Sequence, residues 1–156
     1  YGLPCWGEIS VIGAYKPFDQ DVHDACDPPA REAVINWIDK NWNFTCEGYD
    51  KYKVDLVCSR NNVNKFYVEI ECRQWFTGGD IRYPTIHVPE RKHKLFNNDL
   101  STVYFVVSRD FKHGLYTNVE NIKSSPKVEV KNTAIAEGEY FFDVPTSKWT
   151  YVKLKD

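Results

Sequence analysis

Three acids in this 156-residue chain are spaced for metal chemistry: Asp55, Glu69 and Glu71. Glu69 and Glu71 stand two apart in residues 65–73, a run that reads as a β-strand, so both side chains leave the same face. Their α-carbons are expected roughly 6.5–7 Å apart, close enough for both carboxylates to reach one hydrated ion. Like charges on one face repel, and such an arrangement tends to recruit a cation or to raise a carboxylate pKa. Val68 and Ile70 alternate with the acids and place the opposite face against the core. Asp55 interrupts an otherwise apolar strand, residues 53–59, where an acid is costly unless paired or bound to a cation. A hairpin of these two strands can set Asp55 beside the glutamates. Hard oxygen ligands of this kind suit Mg2+ or Mn2+, which keep several waters and bind phosphate oxygens. The chemistry on offer is phosphodiester hydrolysis by a metal-activated water. The competing reading is a solvent-facing strand whose acids pair partly with Lys53 or Lys65.

The elements around these acids follow from periodicity and punctuation. Asp27-Pro28-Pro29 reads as a helix start, a cap followed by prolines in the first turn. Ala33, Val34, Trp37, Ile38 and Trp42 then recur at helical spacing to residue 43. Three strands follow, at 44–49, 53–59 and 65–73, the last two close enough to form a hairpin. After Gly78-Gly79 an extended piece covers 83–88, and 89–96 reads as a short helix with proline in its first turn. Residues 102–108 are nearly all apolar, the mark of a strand buried on both faces. Further strands are expected at 127–130, 140–144 and 149–154. Helix, three-strand meander, short helix, buried strand predicts a mixed sheet with helices packed on it.

Composition bounds the reading without deciding it. A 42% hydrophobic and 27% charged chain of this length fits one folded domain, and no repeat or linker divides it. No apolar run reaches the roughly 18 residues a membrane span needs, and residues 1–5 lack the basic and apolar segments of a secretory signal. Net charge is −2, so any nucleic-acid surface must be local. The five cysteines form no CxxC pair, and His23 with Cys26 has no second pair to complete a zinc site. Reduced thiols in a cytoplasmic protein are expected, with the Asn43-Phe44-Thr45 sequon a chance match. Glycine-rich phosphate loops and the Gly-x-Ser-x-Gly elbow are missing, which argues against dinucleotide, NTP-hydrolysing and α/β-hydrolase functions.

Across residues 30–108, the order helix–strand–strand(Asp)–strand(Glu-x-Glu)–helix–strand resembles the restriction-endonuclease-like, PD-(D/E)XK nuclease superfamily. Its motif is an acid on the second strand, then Glu/Asp-x-Lys on the third. Asp55 matches the first acid and Glu69 the second, while Glu71 stands where lysine is usual. The resemblance implies an α/β fold with a restriction-endonuclease-like core: a mixed central sheet flanked by helices, αβββαβ. To this the chain adds C-terminal strands, giving one domain with its core at 28–110 and a β extension at 111–156. It also implies a divalent-metal-dependent endonuclease or exonuclease holding Mg2+ or Mn2+ at Asp55, Glu69 and Glu71, with Ile70 between them. Glu32 on the first helix resembles the extra acid many members carry there. Glu71 itself, or a displaced lysine (Lys53, Lys92 or Lys94), would position or deprotonate the attacking water, and Lys92 is counted with the catalytic set.

The segment after the acidic strand concentrates cations and rings. Arg73, Gln74, Trp75, Arg82, His87, Arg91, Lys92 and Lys94 form the expected nucleic-acid surface. Arg91, Lys92 and Lys94 would bind phosphates, Arg82 or His87 would approach the scissile group, and Trp75 and Tyr83 would stack on bases. A solvated helix with buried aromatics is the plainer alternative. The partner implied is nucleic acid, DNA ahead of RNA, with no membrane; a homodimer stays open, since cutting both strands of a duplex often calls for one. A viral or mobile-element protein acting inside a host cell fits a small stand-alone nuclease. The rival function is a non-catalytic module of the same fold that binds nucleic acid or protein. A third reading is a β-rich interaction module whose acids face solvent.

Overall fold

The apolar stripe of the first helix decides which face of the molecule it covers. The structure, a computed structural model, describes residues 20–48, 55–78, 81–90, 99–130 and 139–155, and only the backbone of 20–27. Helix α1 (Gln20–Trp42) buries Ala30, Ala33, Val34 and Ile38, three or four residues apart and so on one side of the cylinder. The helix begins upstream of the expected start, so Pro28 and Pro29 lie inside it rather than in its first turn. Each proline removes an intrahelical hydrogen bond, and beyond them Ala30, Ala33, Val34 and Ile38 pack on the sheet.

A six-stranded mixed sheet follows. Strands β1 (Thr45–Gly48), β2 (Leu56–Arg60) and β3 (Asn64–Arg73) form an antiparallel meander. Its β2–β3 turn carries Asn61 and Asn62 at positive φ, a conformation asparagine tolerates. Strand β4 (Thr85–Pro89) leaves this sheet, and β5 (Thr102–Ser108) returns to pair parallel with β3, Glu69 opposite Tyr104 and Glu71 opposite Val106. Strand β6 (His113–Asn118), the short helix α2 (Val119–Lys123), β7 (Lys127–Val130), β8 (Glu139–Pro145) and β9 (Thr150–Lys153) complete the described chain. The large sheet runs β9-β6-β5-β3-β2-β1, and β4-β8-β7 form a second, antiparallel sheet.

The strand alternation feeds two cores. Leu56, Cys58, Val68, Ile70, Phe105 and Val107 pack with α1 on one face. Tyr67, Tyr104, Val106 and Leu115 pack with Ile86, Val88, Phe142 and Val144 of the small sheet on the other. The molecule is therefore mixed α/β, with a mixed sheet and few helices. The expected buried strand at 102–108 and the strand at 127–130 fall at those residues. Strand β6 and helix α2 were not expected. The helix expected at 89–96 falls mostly on residues 91–98, outside the described residues; Pro89 itself ends β4. No helix among the described residues is long and apolar enough to cross a membrane.

One expectation about the cysteines is overturned. The β1–β2 register sets Cys46 directly opposite Cys58, and the two form a disulfide. Spacing alone could not show this, because the pairing depends on strand register. Cys72 is half-buried on β3; Cys5 and the side chain of Cys26 lie outside the described residues. The cytoplasmic expectation thus loses the reduced thiols it leaned on. The disulfide closes a loop of sequence separation 12, which is expected to contribute about 2–3 kcal/mol. Urea unfolding with and without a thiol reductant checks this, alongside a thiol count in denaturant. A count showing both sulfurs reduced in the untreated protein, or equal midpoints, would contradict it.

Candidate functional site

Asp55 sits just before β2, and its own backbone and side chain bracket residue 69 on the neighbouring strand. Its N–H donates to the Val68 carbonyl at 3.1 Å, and its Oδ2 accepts from the Ile70 N–H at 2.7 Å. The carboxylate is thus pinned beside Glu69 by main-chain bonds on either side of it. Glu69 is 5% exposed, the one charged residue that is buried among the described residues. The other oxygen of Asp55, Oδ1, lies 3.4 Å from Arg31 Nη2, a long contact reaching across from α1.

Glu71 is committed elsewhere. Arg73, two residues on and on the same face, places Nε 2.9 Å from Glu71 Oε2 and Nη2 3.1 Å from Oε1. The Tyr104 hydroxyl, from β5, donates to Glu71 Oε1. Arg73 Nη2 also donates to the His87 carbonyl at 2.7 Å, which ties the large sheet to the edge of the small one. Burial opposes the charge of Arg73, but Glu71 and Tyr104 outweigh it and hold its pKa above the ordinary arginine value. Burial, then the neighbouring Glu71, pushes the Tyr104 hydroxyl well above the usual tyrosine value, so it stays a proton donor.

His87 alternates with core residues Ile86 and Val88, so its ring lies on the far face of the small sheet. There it stacks on Phe141 with centroids 5.3 Å apart, and its Nε2 stands 3.2 Å from Asp143 Oδ1. Burial lowers the His87 pKa below the ordinary 6.5; Asp143 works the other way, and Arg73 adds to the lowering. The unfolded chain therefore binds this proton more readily than the folded one. Stability is present above pH 6.5 and is lost as pH falls through that value toward the lower folded one. The expected loss has a slope of at most about 1.4 kcal/mol per pH unit. His87→Gln should flatten it between pH 7.5 and 5.5 in urea midpoints; an unchanged slope would contradict the assignment.

The expected residues separate into distinct surroundings. Glu69, Ile70 and Glu71 lie on β3, and Asp55, on the approach to β2, meets that strand at the Ile70 N–H. Glu32 is exposed, and the helix residue that reaches Asp55 is its neighbour Arg31. Arg73 is turned inward onto Glu71, with 16% of its side chain exposed, rather than outward to a polyanion. His87 meets the acidic cluster only through its carbonyl. Gln74 and Arg82 are exposed, and Trp75 is half-buried with its ring 5.1 Å from Tyr83 and 5.7 Å from Phe76. Arg91, Lys92 and Lys94, like Lys53, lie outside the described residues.

Among the described residues, no three His, Cys, Asp or Glu side chains are grouped to hold a metal ion together. A three-carboxylate cage therefore does not fit, because Glu71 is held by Arg73 and Tyr104. A smaller donor set does fit the chemistry: Mg2+ is commonly held by one or two carboxylates and its own waters. Asp55 and Glu69 supply two, and Ile70 could add only its backbone carbonyl.

Arg31, Tyr104 and Asp143 were not anticipated. Helix phase carried a signal for Arg31. At about 100° per residue, position 31 flanks the stripe of Ala30, Ala33, Val34 and Ile38, whereas position 32 lies nearly opposite it. Tyr104 carried one too, since a tyrosine inside a strand buried on both faces needs a partner for its hydroxyl. Compared with known proteins, the chain matches no family model and no curated sequence.

Proposed function

We propose that this chain is a metal-dependent nuclease that hydrolyses phosphodiester bonds of nucleic acid, DNA in preference to RNA, on a restriction-endonuclease-like core. The observation that carries the reading is Asp55, pinned by main-chain bonds beside the buried Glu69. The fold supports it: a helix, an antiparallel meander, then a strand returning parallel to the acidic one.

Asp55, Glu69 and the Ile70 carbonyl would hold one Mg2+ or Mn2+. When bound, such an ion supplies a Lewis acid for the scissile phosphate and lowers the pKa of a coordinated water. Asp55 keeps its carboxylate oriented through the Ile70 N–H, so binding costs little reorganisation. Glu71 acts as an anchor: Tyr104 and Arg73 fix it, and through Arg73 it locks the small sheet against the site. Exposed Gln74 and Arg82, beside the half-buried Trp75, flank the end of β3 where a polyanion would lie.

The test is incubation with single- and double-stranded DNA and RNA, with Mn2+, Mg2+ or chelator. Ion-dependent cleavage, stronger on DNA, is expected. A second reading, a non-catalytic binding module on the same fold, is favoured by the commitment of Glu71 to Arg73 and Tyr104. Nucleic-acid binding with no cleavage under any ion would select it.

A further inference from the structure

Asn43-Phe44-Thr45 is the only Asn-x-Ser/Thr in the chain, and its middle residue is not proline. The fold presents it outward. Asn43 and Thr45 are exposed, whereas Phe44 between them is half-buried, its ring 5.0 Å from that of Phe66. Asn43 follows α1 at φ 59°, a left-handed conformation that asparagine tolerates, and its N–H donates to the Asp39 carbonyl. Arg60 fixes this corner from β2. It donates to the carbonyls of Trp42 and Asn43, and its guanidinium lies 4.3 Å from the centre of the Phe44 ring. The side chains of Asn43 and Thr45 take no part in these contacts.

The next residue supplies the compartment. Cys46 is bridged to Cys58, and such bridges persist in oxidising surroundings and are rare in the cytosol. Sequon glycosylation belongs to secreted chains, which fold in the same surroundings. We infer that Asn43 is an N-glycosylation site, modified as the chain passes through an oxidising secretory compartment. Asn43 Nδ2 bonds to C1 of the first sugar of a lipid-diphosphate-linked oligosaccharide. The C1–O bond breaks, the lipid diphosphate leaves, and the amide nitrogen gives up one proton. The sugar stands at the start of β1, the edge strand of the large sheet as described, where a bulky polar group hinders pairing with another chain. It also stands clear of the candidate metal site: Ser59, opposite Thr45, is four residues along the chain from Asp55, about 13 Å at the rise of a strand. Cleavage and glycosylation are therefore separable.

The experiment secretes the full chain from cultured eukaryotic cells behind a cleavable signal. Intact mass is measured before and after treatment with an amidase that releases N-linked glycans, for wild type, Thr45→Ser, Thr45→Ala and Asn43→Gln. Wild type and Thr45→Ser are expected to lose sugar mass on treatment, with peptide mapping placing the released site at position 43. Thr45→Ala and Asn43→Gln should carry no sugar. The two Thr45 variants are the cleaner contrast, because glutamine tolerates φ 59° less well than asparagine. Melting confirms that each variant folds, and a thiol count in denaturant should find Cys46 and Cys58 bridged in all of them. A wild type with bare Asn43, in the medium or retained in the cell, would overturn the inference. So would sugar persisting on Thr45→Ala, or reduced Cys46 and Cys58 in the secreted wild type.

Discussion

Arg73→Met is expected to lower the free energy of unfolding by about 3 kcal/mol, read from urea midpoints at neutral pH. The loss is not the value of one ion pair. Removing the guanidinium strands Glu71 between two sheets and leaves the His87 carbonyl without that donor. Breaking one half of a buried pair costs about 3–5 kcal/mol, and the lower figure applies because a quarter of the Glu71 side chain reaches solvent. Exposed pairs, by contrast, contribute about 0–1 kcal/mol. The double variant Glu71→Gln/Arg73→Met should recover much of the loss, because the amide oxygen still accepts from Tyr104 while the stranded charge is gone. A single-variant loss below about 1 kcal/mol would place the pair in the exposed class and remove the anchor assigned to Glu71.

Asp55→Asn should cut metal-dependent cleavage by about a thousandfold or more while leaving the fold intact, an effect near 4 kcal/mol on the barrier. Asparagine is the informative substitution. Its amide oxygen can still accept from the Ile70 N–H, whereas alanine would leave that donor unsatisfied at a cost of about 1–3 kcal/mol. Asp55→Ala therefore mixes lost chemistry with lost structure, and Asp55→Asn removes only the charge a cation needs. Single-turnover cleavage together with a thermal melt separates the two. Retention of the wild-type rate within about tenfold by a folded Asp55→Asn would exclude Asp55 from the metal set.

How much of this was legible in the sequence follows from what each inference requires. The strand of residues 102–108 and the acidic strand could be read because their patterns are local: one is apolar throughout, the other alternates strictly. Placing Glu69 and Glu71 on one face needed only the period of a strand. Three features needed register or packing instead. The Cys46–Cys58 disulfide depends on which residue of β2 lies opposite Cys46. The inward turn of Arg73 depends on Tyr104 arriving from β5 and on the edge of the small sheet arriving at His87. The exchange of Glu32 for Arg31 depended on helix phase, which was available, but the early start of α1 at Gln20 obscured where the helix begins. Strand β6 was missed because His113–Asn118, with glycine and asparagine among six residues, reads as a turn until β5 and β9 pair on either side of it.

The most direct test of the nuclease reading is single-turnover cleavage of labelled DNA by wild type and Glu69→Gln, with Mn2+ and with chelator. Glu69 is the buried acid beside Asp55, and the substitution keeps its size while removing its charge. The reading predicts cleavage by wild type only with the ion, and none detectable from Glu69→Gln despite an unchanged melt. Equal cleavage by the two proteins, or cleavage that persists in chelator, would contradict it.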